Sequence, residues 1–490
     1  MPTPFLSSLN ISPRSLVVHE GVEYALTGAQ MAVFAPAAAP ALAAFEGQCS
    51  ETAGGALLLG PLSPKNAAAL RAQLPWLRPQ PHGLKTSAGM GDRLGLATPG
   101  HVRAVVAAGG KIAPIFAQQS IREMSRTGRS PQQVMDDATW GIFAEGWRGG
   151  VGADADHLKT PEDIDACLAA GFTFFTVDPG AHVNNAAETA GLNELRQLAG
   201  QLPAEVQPQA SGLAGKRFAV ETQVGTPAVL FDEATLFKAA VKYGGAVAHV
   251  AAMYQHLIRA AAGRPVELEV SVDETDLPTS HAEHFYIASE LKRLGVQWVS
   301  LAPRYIGHFE KGVDYIGDLA AFEADFAGHA AIARQLGPYK LSLHSGSDKF
   351  SIYPIAAHLT QGLVHLKTAG TSYLEALRTI AALAPLFFRQ LYVFSRQRYE
   401  TDKVSYHVSA QLDRAPLPED VSVWPGLLDQ FDAREILHVT FGSVLTDKKP
   451  DGSLRFYDRF VQILRDNPEA YAGNLEKHFM RHLAPFVAEI

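Results

Sequence analysis

Two cysteines in 490 residues, Cys49 and Cys167, are too few and too far apart for a disulfide framework or a cysteine metal site. Basic residues are not in excess. A net charge of -8 disfavours nucleic acid or an anionic membrane as a general partner, while leaving room for a local basic pocket. The opening stretch "MPTPFLSSLNISPRS" lacks a basic start followed by an apolar run, so no secretory leader is expected. The apolar stretch "MAVFAPAAAPALAAF" (31–45) is too short and too broken by proline to span a bilayer, and a cytoplasmic location is expected. Short internal repeats, low-complexity tails and compact zinc motifs are also missing. The glycine-rich "TSAGMGDRLG" (86–95) is not a GxGxxG fingerprint, which argues against a dinucleotide cofactor.

What is present is a hydrophobic content of 47%, enough for a large core in one or two domains. Between residues 84 and 380, strand-like and helix-like segments alternate. The predicted strands are "LKTSAG" (84–89), "IAPIFAQQ" (112–119), "WGIFAEGW" (140–147), "TFFTVDPG" (173–180), "VELEVSVD" (266–273), "WVSLAPR" (298–304), "KLSLHSGS" (340–347) and "LVHLKTAG" (363–370). Helical spacing fills the gaps, as in "TPEDIDACLAAG", where Thr160 is a predicted N-cap, Pro161 opens the helix and Gly171 follows its end. Eight such units fit an α/β (β/α)8 TIM-like barrel, with a doubly wound sheet as the alternative. Residues 1–80 are then an N-terminal extension and 81–384 the barrel, with an insertion near 185–262. A helical or irregular C-terminal segment, 385–490, packs on the barrel.

Parity within the strands supports the barrel. Val266, Leu268, Val270 and Val272 share one face, and Glu267, Glu269, Ser271 and Asp273 the other. Leu341 and Leu343 oppose Ser342 and His344; Val364 and Leu366 oppose His365 and Lys367. A strand covered on both sides by apolar layers reads as continuously apolar. Here the polar face needs a polar destination, which the C-terminal mouth of a barrel provides.

Several residues then qualify for chemistry. Asp178, Glu269, His308 and His344 are carboxylate and imidazole donors suited to a divalent metal. The alternative for Glu269, a costly charge in mid-strand, is neutralisation by an internal Arg or Lys. Asp273, Glu274 and Asp276 crowd within four residues after a strand, the kind of grouping that tunes a general acid and base. "HAEH" (281–284) offers two histidines three apart, for which a solvated helix face is expected, preceded by a capping box from Thr279 or Ser280 with Glu283. For binding a substrate anion, Arg304, Lys349 and Lys367 fall at or just beyond strand ends, and Lys85 and Arg93 flank the first strand. The "KTAGTSYLEAL" loop also leads into a helix with free N–H groups.

Six separated segments, "LKTSAGMGDRLGLATPGH", "TVDPGAH", "EVSVDETDLPTSHAEHF", "APRYIGHFEKGVDYIGD", "LSLHSGSDKFSIYP" and "KTAGTSYLEALR", resemble the tagaturonate epimerase family over roughly residues 80–415. Its members interconvert tagaturonate and fructuronate, and some act on neutral ketoses as tagatose 4-epimerases. The resemblance implies an enzyme dependent on a divalent metal cation (Zn, Mn, Ni and Co are not distinguished) that acts on a small sugar or sugar acid. By motif it implies Asp178 and Glu269 as the acid/base pair, with Glu274 as the alternative to Glu269. It also implies His344 as a metal ligand, joined by His308 or by His182, and Gln411 in "VSAQLDRA" as a polar residue that reaches the substrate. The segment 185–235 fits the family pattern poorly. The inverted carbon, C4 of the ketose, is β to the carbonyl, so enolisation does not make it acidic and a retro-aldol route is expected. A class II-like sugar aldolase is the alternative enzyme. A non-enzymatic sugar-binding protein is a third reading, disfavoured by the polar inner faces. The chain is compatible with a homo-oligomer.

Overall fold

The computed structural model describes residues 9–36, 40–52, 54–222, 225, 228–419 and 424–487, so part of the stretch read for a leader lies outside the described residues. The chain begins with five antiparallel strands, β1 (Val17–His19), β2 (Val22–Thr27), β3 (Gln30–Ala35), β4 (Gln48–Thr52) and β5 (Gly55–Pro61), ordered β1-β2-β3-β5-β4. Next come the parallel strands β6 (Ser87–Gly89), β7 (Ala113–Ser120), β8 (Gly152–Leu158) and β9 (Phe174–Val177). A short hairpin, β10 (Arg217–Ala219) and β11 (Ala228–Leu230), precedes the 29-residue helix Glu233–Ala261. The parallel series resumes with β12 (Glu267–Ser271), β13 (Ser300–Ala302), β14 (Lys340–Leu343) and β15 (Val364–Lys367).

The eight parallel strands close into a barrel, because β15 pairs with β6 through His365↔Ser87, Leu366↔Ala88 and Lys367↔Gly89. This is the (β/α)8 architecture that the strand count anticipates, and it excludes the open doubly wound sheet. Aliphatic residues such as Leu268, Val270, Leu341, Leu343 and Leu366 are buried under the outer helices. Their alternates point into the barrel.

One predicted strand is corrected. "WGIFAEGW" is the end of a helix, Pro131–Ala144, whose start is fixed by a capping box between Ser130 and Gln133 and by Pro131 in the first turn. Its buried Val134, Ala138 and Ile142 recur every four residues. A short apolar run alone does not separate strand from helix. The third barrel strand is instead β8, "GADADHL".

Helices Pro385–Asp402, Phe431–Val439, Tyr457–Asp466 and Pro468–Val487 make up most of the C-terminal segment. The last crosses helix Thr98–Ala107 at Gly100, where an added Cβ would lie 2.4 Å from the Leu475 side chain, so only glycine permits the approach. Among the described residues no helix is long and apolar enough to cross a membrane.

Candidate active site

The barrel interior carries polar side chains from base to mouth, packed around the ring of Phe174. Near the base, Glu267 accepts a hydrogen bond from the His82 backbone N–H at 3.0 Å. One step up, Lys340 donates to Ser87 Oγ at 2.9 Å, and Ser87 Oγ lies 2.9 Å from His365 Nδ1. Burial brings the Lys340 ammonium down to about 8.

The middle layer is centred on Lys367. Its Nζ lies 3.0 Å from Asp154, 2.6 Å from Asp156 and 2.8 Å from Glu269, and it donates to Thr176 Oγ1 at 2.6 Å. All of these groups are buried. Burial opposes the charge on Glu269, but Lys367 and then His344 outweigh it and hold the carboxyl well below its ordinary range. The alternative weighed for Glu269 is thus met, since an internal lysine neutralises it. Lys367, expected to bind a substrate anion, is corrected to the counter-charge of this layer.

At the mouth, His344 Nε2 lies 2.6 Å from Glu269 Oε1, and its Nδ1 lies 3.2 Å from Ser271 Oγ and 3.3 Å from Asp273 Oδ1. Ser271 Oγ also donates to Asp273. The turn after His344 is built on left-handed backbone at Ser345 (φ 49) and Asp348 (φ 62). The neighbouring ring, 5.1 Å away, is His157. Its Nδ1 is 2.8 Å from Asp156 Oδ1, and its Nε2 is 3.7 Å from Asp273 and 3.8 Å from Glu274. Adjacent strand residues normally face opposite sides. Asp156 and His157 share the mouth because the β8–β9 register slips by one between Ala155 and Leu158, and His157 takes a left-handed φ of 55. Burial opposes protonation of His157, yet the Asp156 carboxylate raises its affinity for a proton well above the usual imidazole range.

Above this layer opens a cavity of about 270 Å³ whose wall includes Asp273, Glu274 and His344. Arg122, Arg304 and Lys311 also line it, as do His308, Tyr406 and His407. Arg122 pairs with Glu274 at 2.8 Å. Asp178 lies close by, with Oδ1 accepting the Gly180 N–H at 2.8 Å and Oδ2 3.3 Å from Lys159. Two sets of possible ligand atoms, each within 4.8 Å of one another, share His157: Asp156–His157–His344 and His157–Asp178–Glu274.

The structure therefore brings together Asp178, Glu269, Asp273, Glu274, His344, His308 and Arg304. Other expected site residues lie elsewhere. Lys85 is exposed at the N-terminal end of β6, away from the mouth. Arg93 is buried in a 2.8 Å hydrogen bond to Glu123, its guanidinium 3.6 Å from the Phe441 ring centroid. Lys349 donates to the carbonyls of Glu310, Val313 and Ser347 at 2.5–3.1 Å, an internal tie that leaves it no anion to bind. His182 is exposed and stacked on His249, 4.1 Å between centroids. Gln411 is exposed and absent from the cavity wall, where Tyr406 and His407 stand for the C-terminal segment. Sequence reasoning missed Asp156, His157, Arg122 and Lys311. The alternation of Ala and Asp in "GADADHL" was the available signal.

The C-terminal segment is held to the mouth by a buried carboxyl pair. Glu310 accepts from the Ser409 N–H and Oγ, both at 2.8 Å, and Glu435 accepts from the Ala410 N–H at 3.0 Å. Burial and then Glu310 push the Glu435 carboxyl up from 4.5 to about 9. Because the folded pKa is raised, the stability this group contributes is full below the unfolded value and is lost as pH rises towards 9. Glu435→Gln keeps the acceptor and cannot ionise. Its stability advantage over the natural chain should grow with pH, by up to about 1.4 kcal/mol per unit. Urea unfolding at pH 6 and pH 8.5 measures this, and a pH-independent difference would contradict it.

Comparison with known proteins shows the family. A tagaturonate epimerase family profile matches residues 29–486. The tagaturonate/fructuronate epimerase of Thermotoga maritima is 45% identical over 421 residues, 86% of this chain and 84% of that protein. The native crystal structure of the fructuronate-tagaturonate epimerase UxaE from Cohnella laeviribosi superposes with a TM-score of 0.90 at 40% identity, over 99% of this chain and 97% of that one. A glycerol complex of the same enzyme gives 0.90 at 39% identity, over 98% and 97%. An eight-stranded barrel with acids and imidazoles at its mouth, matched over nearly its full length, identifies the chain as an isomerase that belongs to the tagaturonate epimerase family.

Proposed function

We propose that the protein inverts C4 of a keto-hexuronate, interconverting tagaturonate and fructuronate, with the aid of a divalent cation at the barrel mouth. The observation that carries this reading is the Glu269–His344–Asp273–His157 array beneath a cavity whose lining includes Arg122, Arg304 and Lys311. The donor set suits a cation: His157 Nε2 is buried without a hydrogen-bond partner, it lies in a group with Asp156 and His344 whose ligand atoms fall within 4.8 Å of one another, and nitrogen and carboxylate oxygen together fit zinc, manganese, nickel or cobalt. His157 and His344, with the Asp156 carboxylate, are the residues that would hold it. Such a cation supplies Lewis-acid stabilisation of negative charge developing on sugar oxygens.

The remaining steps belong to side chains. Arg304, Arg122 and Lys311 bind the substrate carboxylate and set the direction of the sugar chain. Glu274, at the cavity wall, takes the proton of the C4 hydroxyl as the C3–C4 bond breaks and the bonding pair moves onto the C2 carbonyl, giving an enediolate and an aldehyde. The aldehyde turns over, C3 attacks its other face, and Glu274 returns the proton to the C4 oxygen. Glu269 lies too deep to touch the sugar; it and Asp273 fix the ring of His344. Asp178, with a ligand atom within 4.8 Å of His157 and Glu274, adds a second carboxylate beside them.

Proton NMR of metal-loaded protein with tagaturonate or fructuronate should show both converging on one mixture, and a chelator should stop the conversion. Tagatose and fructose tested alongside define whether the substrate carboxylate is required. In deuterium oxide the C4 hydrogen should be retained, since it stays on the aldehyde carbon; deuterium at C4 would exclude bond cleavage. Accumulating three-carbon products would point to an aldolase instead.

A further inference from the structure

The sequence reading left "HAEH" as a solvated helix face, and the structure disagrees. His284 is fully buried in helix His281–Arg293, and His281 is half-buried. Both face helix Leu319–Leu336, which carries Asp325 and His329 four residues apart on one side. His281 Nε2 donates to the Asp325 carbonyl oxygen at 2.9 Å, a bond that a cation would displace, and lies 3.3 Å from Asp325 Oδ1; His329 Nε2 lies 3.6 Å from Asp325 Oδ2. One ligand atom from each of the three residues falls within 4.8 Å of the others. Tetrahedral coordination with bonds of about 2.0–2.1 Å separates ligand atoms by roughly 3.3 Å.

His329 supplies the independent indication. Its side chain is 0% exposed, yet its Nε2 has no hydrogen-bond partner. The other ring nitrogen, Nδ1, lies 2.9 Å from His284 Nδ1, and His284 Nε2 lies 2.8 Å from Tyr339 OH. That chain fixes the ring the way a second layer of hydrogen bonds fixes a metal-binding imidazole. At the other end of that chain, His329 Nε2 faces the Asp325 carboxylate at 3.6 Å. Gly328 makes room for the His281 ring, since a Cβ there would sit 2.3 Å from it. The side chains of His281 and Asp325 retain 29% and 21% exposure, a path in from solvent.

We propose that His281, Asp325 and His329 form a divalent-cation site of the zinc and cobalt class between these two outer helices, separate from the barrel mouth. The ion joins the helices that follow β12 and β13. It sits behind Tyr305, whose ring stacks edge-on to His329 at 5.6 Å and whose other side lines the mouth cavity.

The test is cobalt stoichiometry on chelator-stripped protein, by elemental analysis and by the visible bands of tetrahedral cobalt. His281→Gln and Asp325→Asn are each expected to hold one ion per chain fewer than the natural protein, while His344→Ala keeps the ion between the helices. Should the mouth hold no cation, the natural chain binds one ion and these two variants none, so the two sites fail separately. Equal cobalt content in the natural chain, His281→Gln and Asp325→Asn overturns the proposal. A zinc-edge anomalous map of zinc-soaked crystals of the natural protein settles the matter without variants: a peak bonded to all three residues supports the site, and its absence removes it.

Discussion

His344→Ala is expected to lower kcat for epimerisation by a factor of 10³ or more while the protein stays folded. The ring has contacts on both sides, Glu269 at 2.6 Å and Asp273 at 3.3 Å, and it reaches the floor of the cavity from the end of β14. Its loss removes a ligand from the proposed cation set and the group that separates Glu269 from the sugar. Acid–base groups of this kind contribute about 10²–10⁴ in rate, and losing a cation ligand adds to that. The fold should survive because Lys367 still neutralises Glu269 at 2.8 Å and the barrel ladder does not pass through this side chain. His308→Ala and His182→Ala are the comparison variants. His308 is exposed on the rim and should change kcat by no more than about tenfold, a rim contact being worth around one hydrogen bond. His182, stacked on His249 outside the cavity, should have no effect on rate. Full activity in His344→Ala would remove the ring from the mechanism, and equal losses in all three would point to a general disturbance of the mouth.

The barrel was legible because its strands carry two messages on alternate residues. Leu268 and Val270 ask for a helix layer, and Glu267 and Glu269 ask for a polar interior, so period two showed both the strands and the direction in which they face. The same parity brought Glu269, His344 and Lys367 to one place. It failed at β8, where a slipped register turns Asp156 and His157 to the same side, and a bulge leaves no trace in a strict alternation. Charge alone could not tell an anion-binding cation from an internal one. Lys349 and Lys367 stand at strand ends like substrate ligands, yet one is bound to backbone carbonyls and the other to carboxylates contributed by β8 and β12. Those partners lie up to 213 residues away, beyond the reach of any local pattern. Lys311 reaches the cavity from a loop, whose path the spacing of apolar residues does not specify, and Arg122 from the two-turn helix Ile121–Thr127, too short to show a period.

Lys367→Met should be the most damaging single change to stability, and the loss should grow as pH rises. In the natural protein, Asp156 and Glu269 have folded pKa values well below the ordinary carboxylate range, despite a burial that acts the other way. A depressed folded value means that the stability is present above the unfolded pKa and is lost as pH falls through the folded one. Methionine keeps most of the volume and removes the charge. Asp154, Asp156 and Glu269 then share a buried site without their common cation, and breaking a buried ion pair from one side costs about 3–5 kcal/mol. His157 still faces Asp156 and His344 still faces Glu269, and the charge left uncompensated is relieved by taking up protons, which moves the folded pKa values of the carboxyls upward. Stability so gained is full in acid and declines as pH rises. Urea unfolding at pH 5 and pH 7.5 should therefore show the variant losing stability towards the higher pH more steeply than the natural chain, in which the Glu435 contribution declines over this range and Asp156 and Glu269 stay fully ionised. Adding Asp154→Asn to Lys367→Met should recover part of the loss at pH 7.5, since one of the stranded charges is gone, without restoring turnover. A variant within about 1 kcal/mol of the natural chain, with the same pH slope, would mean that the carboxylates are neutralised by something other than Lys367, and the layered account of the barrel interior would fall with it.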